Sequence, residues 1–259
     1  METPPGRPLL RRDSASGSHR RGSKPWRWRS FLSVRFLDGG ESCLVAELGD
    51  TIDIALNRRV RALGLALEQA RVKGVVEAVP TYRSLAIYYN PLVISREALR
   101  QWIGRLDDSV ESLVEQPPRL MEIPTIYGGA YGPDLEFVAC RNGLSPDEVV
   151  RLHADPTYHV YMLGFMAGFP YLGDLPARLA APRLSTPRLK VPAGSVGIGG
   201  GQTGIYPIES PGGWRIIGRT PLRLFDPSAA KPTLLLPGDR VRFVPITQWP
   251  CAGGEPGRL

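Results

Sequence analysis

The chain has 259 residues, which allows one large domain or two small ones, and its formal net charge is +7. Residues 1–30 hold eight Arg and Lys against Glu2 and Asp13, and this surplus of six leaves about +1 for the remaining chain. A nearly neutral body offers no basic face that would neutralise a nucleic-acid backbone. The body has no run of eighteen apolar residues, so no membrane span is expected.

Residues 1–30 are predicted to form a disordered basic tail, because Ser, Pro and Gly accompany the charges. The basic start is followed by no apolar core, which argues against a secretory signal. The three cysteines are far apart and form no CxxC pair. This pattern predicts reduced thiols in a cytoplasmic protein, with neither a zinc site nor a disulfide frame. The cysteines are Cys43, Cys140 and Cys251.

Residues 31–120 are predicted to form a small α/β domain. SVRFLDGGESCLVAEL is typical of two strands joined by a glycine-containing turn. Asp50 or Thr51 would then cap a helix whose apolar residues recur at helical spacing to about Ala70.

The same region continues with two strand-like runs, GVVEAVP and SLAIYYN. A second helix is predicted from its cap at Ser95 to about Leu106, with Trp102 among the inward residues. A strand at RLMEIPTIY completes the order ββαββαβ, which indicates helices on one face of an antiparallel sheet.

Residues 121–248 are predicted to form a mostly β domain, and residues 249–259 a C-terminal tail. Two short helices come first: Pro133 opens one that Asn142–Gly143 can close, and SPDE at Ser145–Glu148 is a capping box for the next. From Tyr158 onward, short strands alternate with Gly and Pro turns, which is typical of a barrel or sandwich. The last strand would place Val241, Phe243 and Pro245 on one face.

The most informative stretch is Arg188–Pro227, RLKVPAGSVGIGGGQTGIYPIESPGGWRIIGRTPLRLFDP, which contains nine glycines. VGIGGGQTG lacks the Lys-Ser/Thr pair of a P-loop, and Pro207 prevents a helix from following soon after. Two interpretations remain open: the glycines pack a barrel, or they form a ligand-facing loop. Similarly, GFMAGFPYLGDLP presents aromatic rings either to a ligand or partner or to a buried barrel corner.

Charged groups in the same half allow a small anionic ligand, because guanidinium groups bind carboxylate or phosphate in a bidentate manner. Arg219 is the strongest candidate, since it lies in an otherwise apolar strand. His153 and His159 fit no metal-ligand pattern, and no metal site is predicted. No GxSxG elbow or Cys/His nucleophile pair occurs, so no autonomous hydrolase site is visible.

Several segments resemble the PxpB/KipI family, the B-type subunits of 5-oxoprolinase, also called allophanate hydrolase subunit 1 or the carboxyltransferase C/D domain. The resemblance rests on PAGSVGI, GGQTG, SPGGW and GRT in that order, with IPTIYGGAYGPD and LLLPGDRVRF, and runs from about Val34 to Pro245. It implies an α+β N-terminal domain followed by a cyclophilin-like β-barrel. It also implies partners, the 5-oxoprolinase subunits C and A, and ATP (with Mg in the complex) for opening the lactam of 5-oxoproline to glutamate.

The matching motifs supply candidate site residues. The resemblance implies charge stabilisation by Arg188 and Arg219, and substrate orientation by the catalytic candidates Gln202, Thr203 and Tyr206. The candidate ligand-binding residues are His153, Gly168, Phe169, Tyr171, Pro192, Gly194, Ser195, Gly201, Gly212, Gly213, Trp214 and Thr220.

The functional expectation is an oxoprolinase subunit that is inactive alone. The alternatives are a regulatory protein that inhibits a histidine kinase and a component of allophanate or urea carboxylation.

Overall fold

A computed structural model of the chain describes residues 34–107 and 117–249. The basic tail at 1–30, Cys251 and the end of the C-terminal tail lie outside these residues, so their predictions stay predictions. Within the described ranges, no helix has both the length and the apolar character needed to cross a membrane.

The first part is a four-stranded antiparallel sheet. Its strands in chain order are β1 (Arg35–Asp38), β2 (Cys43–Glu47), β3 (Val75–Pro80) and β4 (Ser84–Tyr89), arranged as β1-β2-β4-β3. Helices α1 (Ile54–Gln69) and α2 (Arg96–Asp107) share one hydrophobic core with this sheet. The core forms because Val60, Leu63 and Leu67 recur at helical spacing on α1 and are buried.

The helix caps agree only in part with the prediction. Ser95 caps α2 by accepting a hydrogen bond from the Ala98 amide, as predicted. The α1 cap is Asp53, whose Oδ1 accepts from the Leu56 amide at 2.9 Å, and not Asp50 or Thr51. Three capping-type residues within four positions made that choice ambiguous. Trp102 is also not an inward residue.

Trp102 lies on the exposed side of α2, where the Arg105 guanidinium stacks 4.6 Å from its ring centroid. The strand at the end of the predicted ββαββαβ order, β5 (Leu120–Tyr127), belongs to the barrel and not to the four-stranded sheet.

The remaining chain forms a closed seven-stranded barrel, as the fold prediction required, with the strand order β10-β7-β6-β13-β5-β12-β9. Two further strands pair with each other outside it. The ranges are β6 (Tyr158–Leu163), β7 (Pro170–Leu172), β8 (Arg188–Val191), β9 (Ser195–Gly199), β10 (Gln202–Ile205), β11 (Ser210–Gly212), β12 (Arg215–Arg219) and β13 (Arg240–Pro245), with β8 and β11 forming the separate pair.

Two short helices, α3 (Leu135–Asn142) and α4 (Pro146–Ala154), contribute to the barrel core. The Ser145–Glu148 capping box is present, and Gly143 ends α3 with φ 64°, as predicted. Pro133 lies just before the cap residue Asp134 and is not the first helical residue. On β13, Val241 and Phe243 are buried but Pro245 is exposed, because the strand ends there.

Candidate functional site

The glycine-rich half builds an aromatic cluster beside the β9–β10 hairpin. Four residues define this aromatic cluster: Phe169, Tyr171, Tyr206 and Trp214. The Phe169 ring meets those of Tyr206, Trp214 and Tyr171 edge to face, with centroids 5.3, 5.4 and 5.1 Å away. Such contacts add to the stabilisation from simple burial.

Several glycines of the β9–β10 hairpin and of β11 make room for these rings. A Cβ on Gly199 would lie 2.6 Å from the Trp214 ring, and one on Gly204 would lie 2.9 Å from Phe169. A Cβ on Gly212 would collide with Tyr206. In contrast, Gly201 lies in the exposed turn with open space around it. The structure therefore favours the packing interpretation for most of these glycines.

The PAGS turn is held by backbone contacts. Gly194 has φ +82°, donates its amide to Tyr206 O at 2.7 Å, and accepts from the Thr220 amide at 2.9 Å. A Cβ at this position would collide with Thr220 O. Pro192 accepts from the Ser195 amide at 3.2 Å, which closes the turn. These five candidates therefore shape one tight corner of the barrel.

Arg219 supports the same turn. Its Nε donates to Ala193 O at 2.7 Å, and its guanidinium lies 5.7 Å from the Trp249 ring centroid. Two other candidates have comparable structural contacts: Gly168 has φ +80° and lies close to Phe225, and Gly213 O accepts from the Leu184 amide at 2.7 Å.

Arg188 forms an ion pair that ties β8 to α3 and β12. Its Nη2 donates to Asp134 Oδ1 at 2.9 Å, while Asp134 Oδ2 accepts from the Ile216 amide at 2.7 Å. Asp134 is buried, so it depends on both partners. This residue was missed at the sequence level, although the YGPD motif contains it, because its partners are 54 and 82 positions away.

His153 and Thr203 lie in the barrel core. His153 is fully buried, with Nδ1 2.8 Å from Tyr127 Oη and Nε2 2.9 Å from Thr203 Oγ1. Because the Thr203 hydroxyl donates to Gly197 O at 3.0 Å, it accepts from His153 Nε2–H, and Nδ1 accepts from Tyr127. Burial lowers the pKa of His153 to about 3, so the ring is neutral. Neither side chain faces solvent.

Four side chains remain at the open edge of the cluster, and we call them the rim: Tyr82, Tyr171, Arg183 and Gln202. Gln202 Nε2 donates to Tyr82 Oη, and the Tyr82 ring is 5.9 Å from that of Tyr171. Arg183 is exposed, with its guanidinium 5.7 Å from the Trp214 ring centroid. Burial raises the pKa of Tyr82, so its hydroxyl stays protonated at neutral pH.

The rim reaches solvent, because Arg183 is exposed and Tyr82, Tyr171 and Gln202 are partly exposed. Tyr82 comes from the β3–β4 loop, so the four-stranded sheet contributes to a site that sequence reasoning placed wholly in the barrel. A cleft of about 740 Å³ lies elsewhere, between α1, β3 and the Leu236–Pro237 segment, and no predicted site residue lines it. The arrangement suits recognition of another surface, with polar groups among aromatic rings.

Comparison with known proteins defines the class. The sequence model of the family "Carboxyltransferase domain, subdomain C and D" matches residues 34–235, and the chain belongs to this family. It is 44% identical over 220 residues to the B-type subunit of 5-oxoprolinase from Bacillus subtilis (strain 168), covering 81% of this chain and 91% of that one. It is 47% identical over 213 residues to the B-type subunit of 5-oxoprolinase from Escherichia coli O157:H7, covering 82% and 96%.

A crystal structure of TTHA0988 has the same fold, with a TM-score of 0.70 and 40% identity. The match covers 80% of this chain but 40% of that one, so the chain spans about two fifths of the length of TTHA0988. The family resemblance and the cyclophilin-like barrel after an α+β part are thus confirmed. The predicted domain limits and the roles of the site residues stay predictions.

Proposed function

We propose that this chain is a subunit of an ATP-dependent 5-oxoprolinase, which hydrolyses the lactam of 5-oxo-L-proline to L-glutamate together with subunits C and A. The observation that carries this proposal is the similarity to two proteins named as the B-type subunit of 5-oxoprolinase, over 91% and 96% of their lengths. Such coverage relates whole subunits, not an isolated domain.

The contacts of the predicted catalytic residues favour a role that depends on partners. Arg188 is engaged by Asp134, Arg219 by a backbone carbonyl, and Thr203 by His153. Donors that are already used within the fold leave fewer N–H and O–H groups to stabilise a developing charge. We therefore expect the isolated chain to be inactive, and the rim to become part of a site only against another subunit.

We expect ATP to bind in the complex and not at the glycine-rich segment of this chain alone. Aromatic rings fill the space beside Gly199, Gly204 and Gly212. The turn after β9 leads into strand β10 and not into the N-terminus of a helix. The amide cradle that usually holds phosphate groups is therefore missing from this glycine-rich segment. ATP with Mg would supply a phosphoryl group to the lactam oxygen, which would turn that oxygen into a leaving group and make the carbonyl carbon easier to attack. Arg183 and Gln202 offer donors at the rim.

Reconstitution tests the proposal. The chain is combined with homologues of the C-type and A-type subunits, and ATP-dependent glutamate release from 5-oxoproline is measured, with each protein omitted in turn. We expect release only when all three are present. A stable complex without release would overturn the lactam assignment and point to another amide, including the urea-type substrates. Release that continues without this chain would overturn its role as a subunit.

A second candidate, a regulatory protein that inhibits a histidine kinase, is favoured by one observation. Phe165 is 63% exposed, adopts φ +63°, and lies over the aromatic cluster with its ring 5.6 Å from Phe169. An exposed ring held in an unusual backbone conformation suits a protein contact. Autophosphorylation of the kinase that remains unchanged at a stoichiometric amount of this chain would exclude it.

A further inference from the structure

A small cavity of about 60 Å³ lies where α1 meets barrel strands β6 and β13. We call it the basic cavity, because guanidinium groups from two separate elements reach it. Six residues of its lining matter here: Arg58, Arg61, His159, Asp174, Gly238 and Arg240. None of them was a candidate site residue in the sequence.

Asn57 holds the two sides of the basic cavity together. It is fully buried on α1, and its Nδ2 donates to the carbonyls of Thr81, Tyr82 and Tyr161 at 2.9, 3.2 and 3.2 Å. Its Oδ1 is therefore the acceptor for His159 Nε2 at 3.1 Å. These bonds fix α1 against β6, and they therefore fix the backbone positions from which the Arg58 and Arg61 side chains extend.

The backbone of Gly238 also helps to position the Arg61 side chain. Gly238 has φ +93°, and a Cβ there would overlap the Arg61 guanidinium. The planar group therefore lies directly on the glycine backbone, on the barrel side of the junction. No side chain larger than glycine would leave it in this place.

Among the described residues that line the basic cavity, three are arginines and one is a carboxylate, Asp174, which is hydrogen-bonded to Tyr161. Arg58 and Arg61 also interact with other groups. Burial, followed by the charges of Arg61, Arg58 and Arg240, lowers the pKa of His159 to about 4, so His159 is neutral at physiological pH. Among residues 34–107 and 117–249, the Arg240 side chain has no hydrogen-bond or ion-pair partner.

We propose that the basic cavity binds a small oxyanion group, of the phosphate or carboxylate type. Guanidinium groups present paired N–H donors that match such oxygens. One water-sized group needs about 10–15 Å³ of cavity volume. The basic cavity, at about 60 Å³, therefore has room for about four or five non-hydrogen atoms, which is the size of one phosphate. This proposal concerns the isolated chain and is independent of the 5-oxoprolinase assignment.

Calorimetric titration tests the proposal on the full chain at constant ionic strength, with inorganic phosphate in one arm and acetate in the other. We expect saturable binding of at least one anion, weakened about tenfold in Arg240→Met and in Arg61→Met. Arg242→Met is the matched control, because Arg242 lies two residues along β13 and pairs with Glu122 at the surface. Phosphate binding alone would assign a phosphate site, and acetate binding alone a carboxylate site.

The pKa of the His159 ring, followed by NMR, gives a second measurement that does not depend on a variant. A bound anion offsets the arginine charges, so phosphate or acetate should raise the pKa of His159 and leave that of buried His153 unchanged. Absence of saturable binding by both anions, or equal weakening in Arg240→Met and Arg242→Met, would overturn the proposal.

Discussion

The aromatic cluster and the basic cavity differ in how their residues are used. The aromatic cluster lies in the part of the chain with the densest motifs, yet the glycines of these motifs make room for its rings. The neighbouring Arg188 and Arg219 are held by Asp134 and by the Ala193 carbonyl. The basic cavity contains none of the predicted site residues, and its arginines converge only because α1 meets the barrel. A dense sequence motif can therefore serve mainly to build the fold. Charged groups that could bind a ligand can be brought together by tertiary structure alone.

The largest expected effect tests whether Arg188 belongs to a structural pair. Asp134→Ala leaves Arg188 and the buried Ile216 amide without their acceptor, and should lower the free energy of unfolding by about 3 kcal/mol. Asp134→Asn keeps an acceptor oxygen and should cost less. Denaturant titration measures both. Equal stability of Asp134→Ala and the wild type would mean that Arg188 is available for catalysis after all.

The next effect tests the packing role of the hairpin glycines. Gly199→Ala places a methyl group against the Trp214 ring and should cost about 1–3 kcal/mol of unfolding free energy. Gly201→Ala, two residues along the same hairpin, meets open space and should change stability by less than about 0.5 kcal/mol. If the two variants have the same melting temperature, the hairpin glycines are not required to make room for the aromatic rings.

Acid should destabilise the fold through its two buried histidines. The pKa values of His153 and His159 are lowered to about 3 and about 4 from a usual 6.5, so the unfolded chain binds protons that the folded chain does not. Stability is then full above pH 6.5 and falls as the pH drops through the window toward 4. Each histidine contributes about 1.4 kcal/mol per pH unit.

Unfolding titrations at pH 7.0, 6.0 and 5.0 check this dependence. His153→Gln, which removes one titrating group, should reduce the slope by about one proton. A slope that His153→Gln leaves unchanged would show that the barrel core already accommodates a charged ring.

Local chemistry made part of this structure predictable. The Ser145–Glu148 capping box and Gly143 each define a helix end within a few residues, and ordered motifs such as PAGSVGI identified the family. Asp53 was missed because neighbouring residues cap equally well in sequence terms, and Trp102 because its exposure depends on what surrounds α2.

The site was less predictable than the fold. Tyr82 meets Gln202 across 120 positions, and Asn57 meets His159 across 102. No spacing rule links such pairs, because they form only once the sheet and the barrel pack together. The sequence placed the rim correctly in the C-terminal half of the chain. It did not indicate that the β3–β4 loop, which carries Tyr82, completes the rim.

The rim as a partner surface is tested most directly by the affinity of this chain for the C-type subunit that we propose as its partner, measured by calorimetry. An Arg183→Ala/Gln202→Ala double variant removes rim donors while leaving the buried cluster intact, and Arg242→Ala is the control at a distant surface. We expect the double variant to bind about tenfold more weakly with unchanged thermal stability, and the control to bind as the wild type does. Equal affinity of all three proteins would show that the partner docks elsewhere.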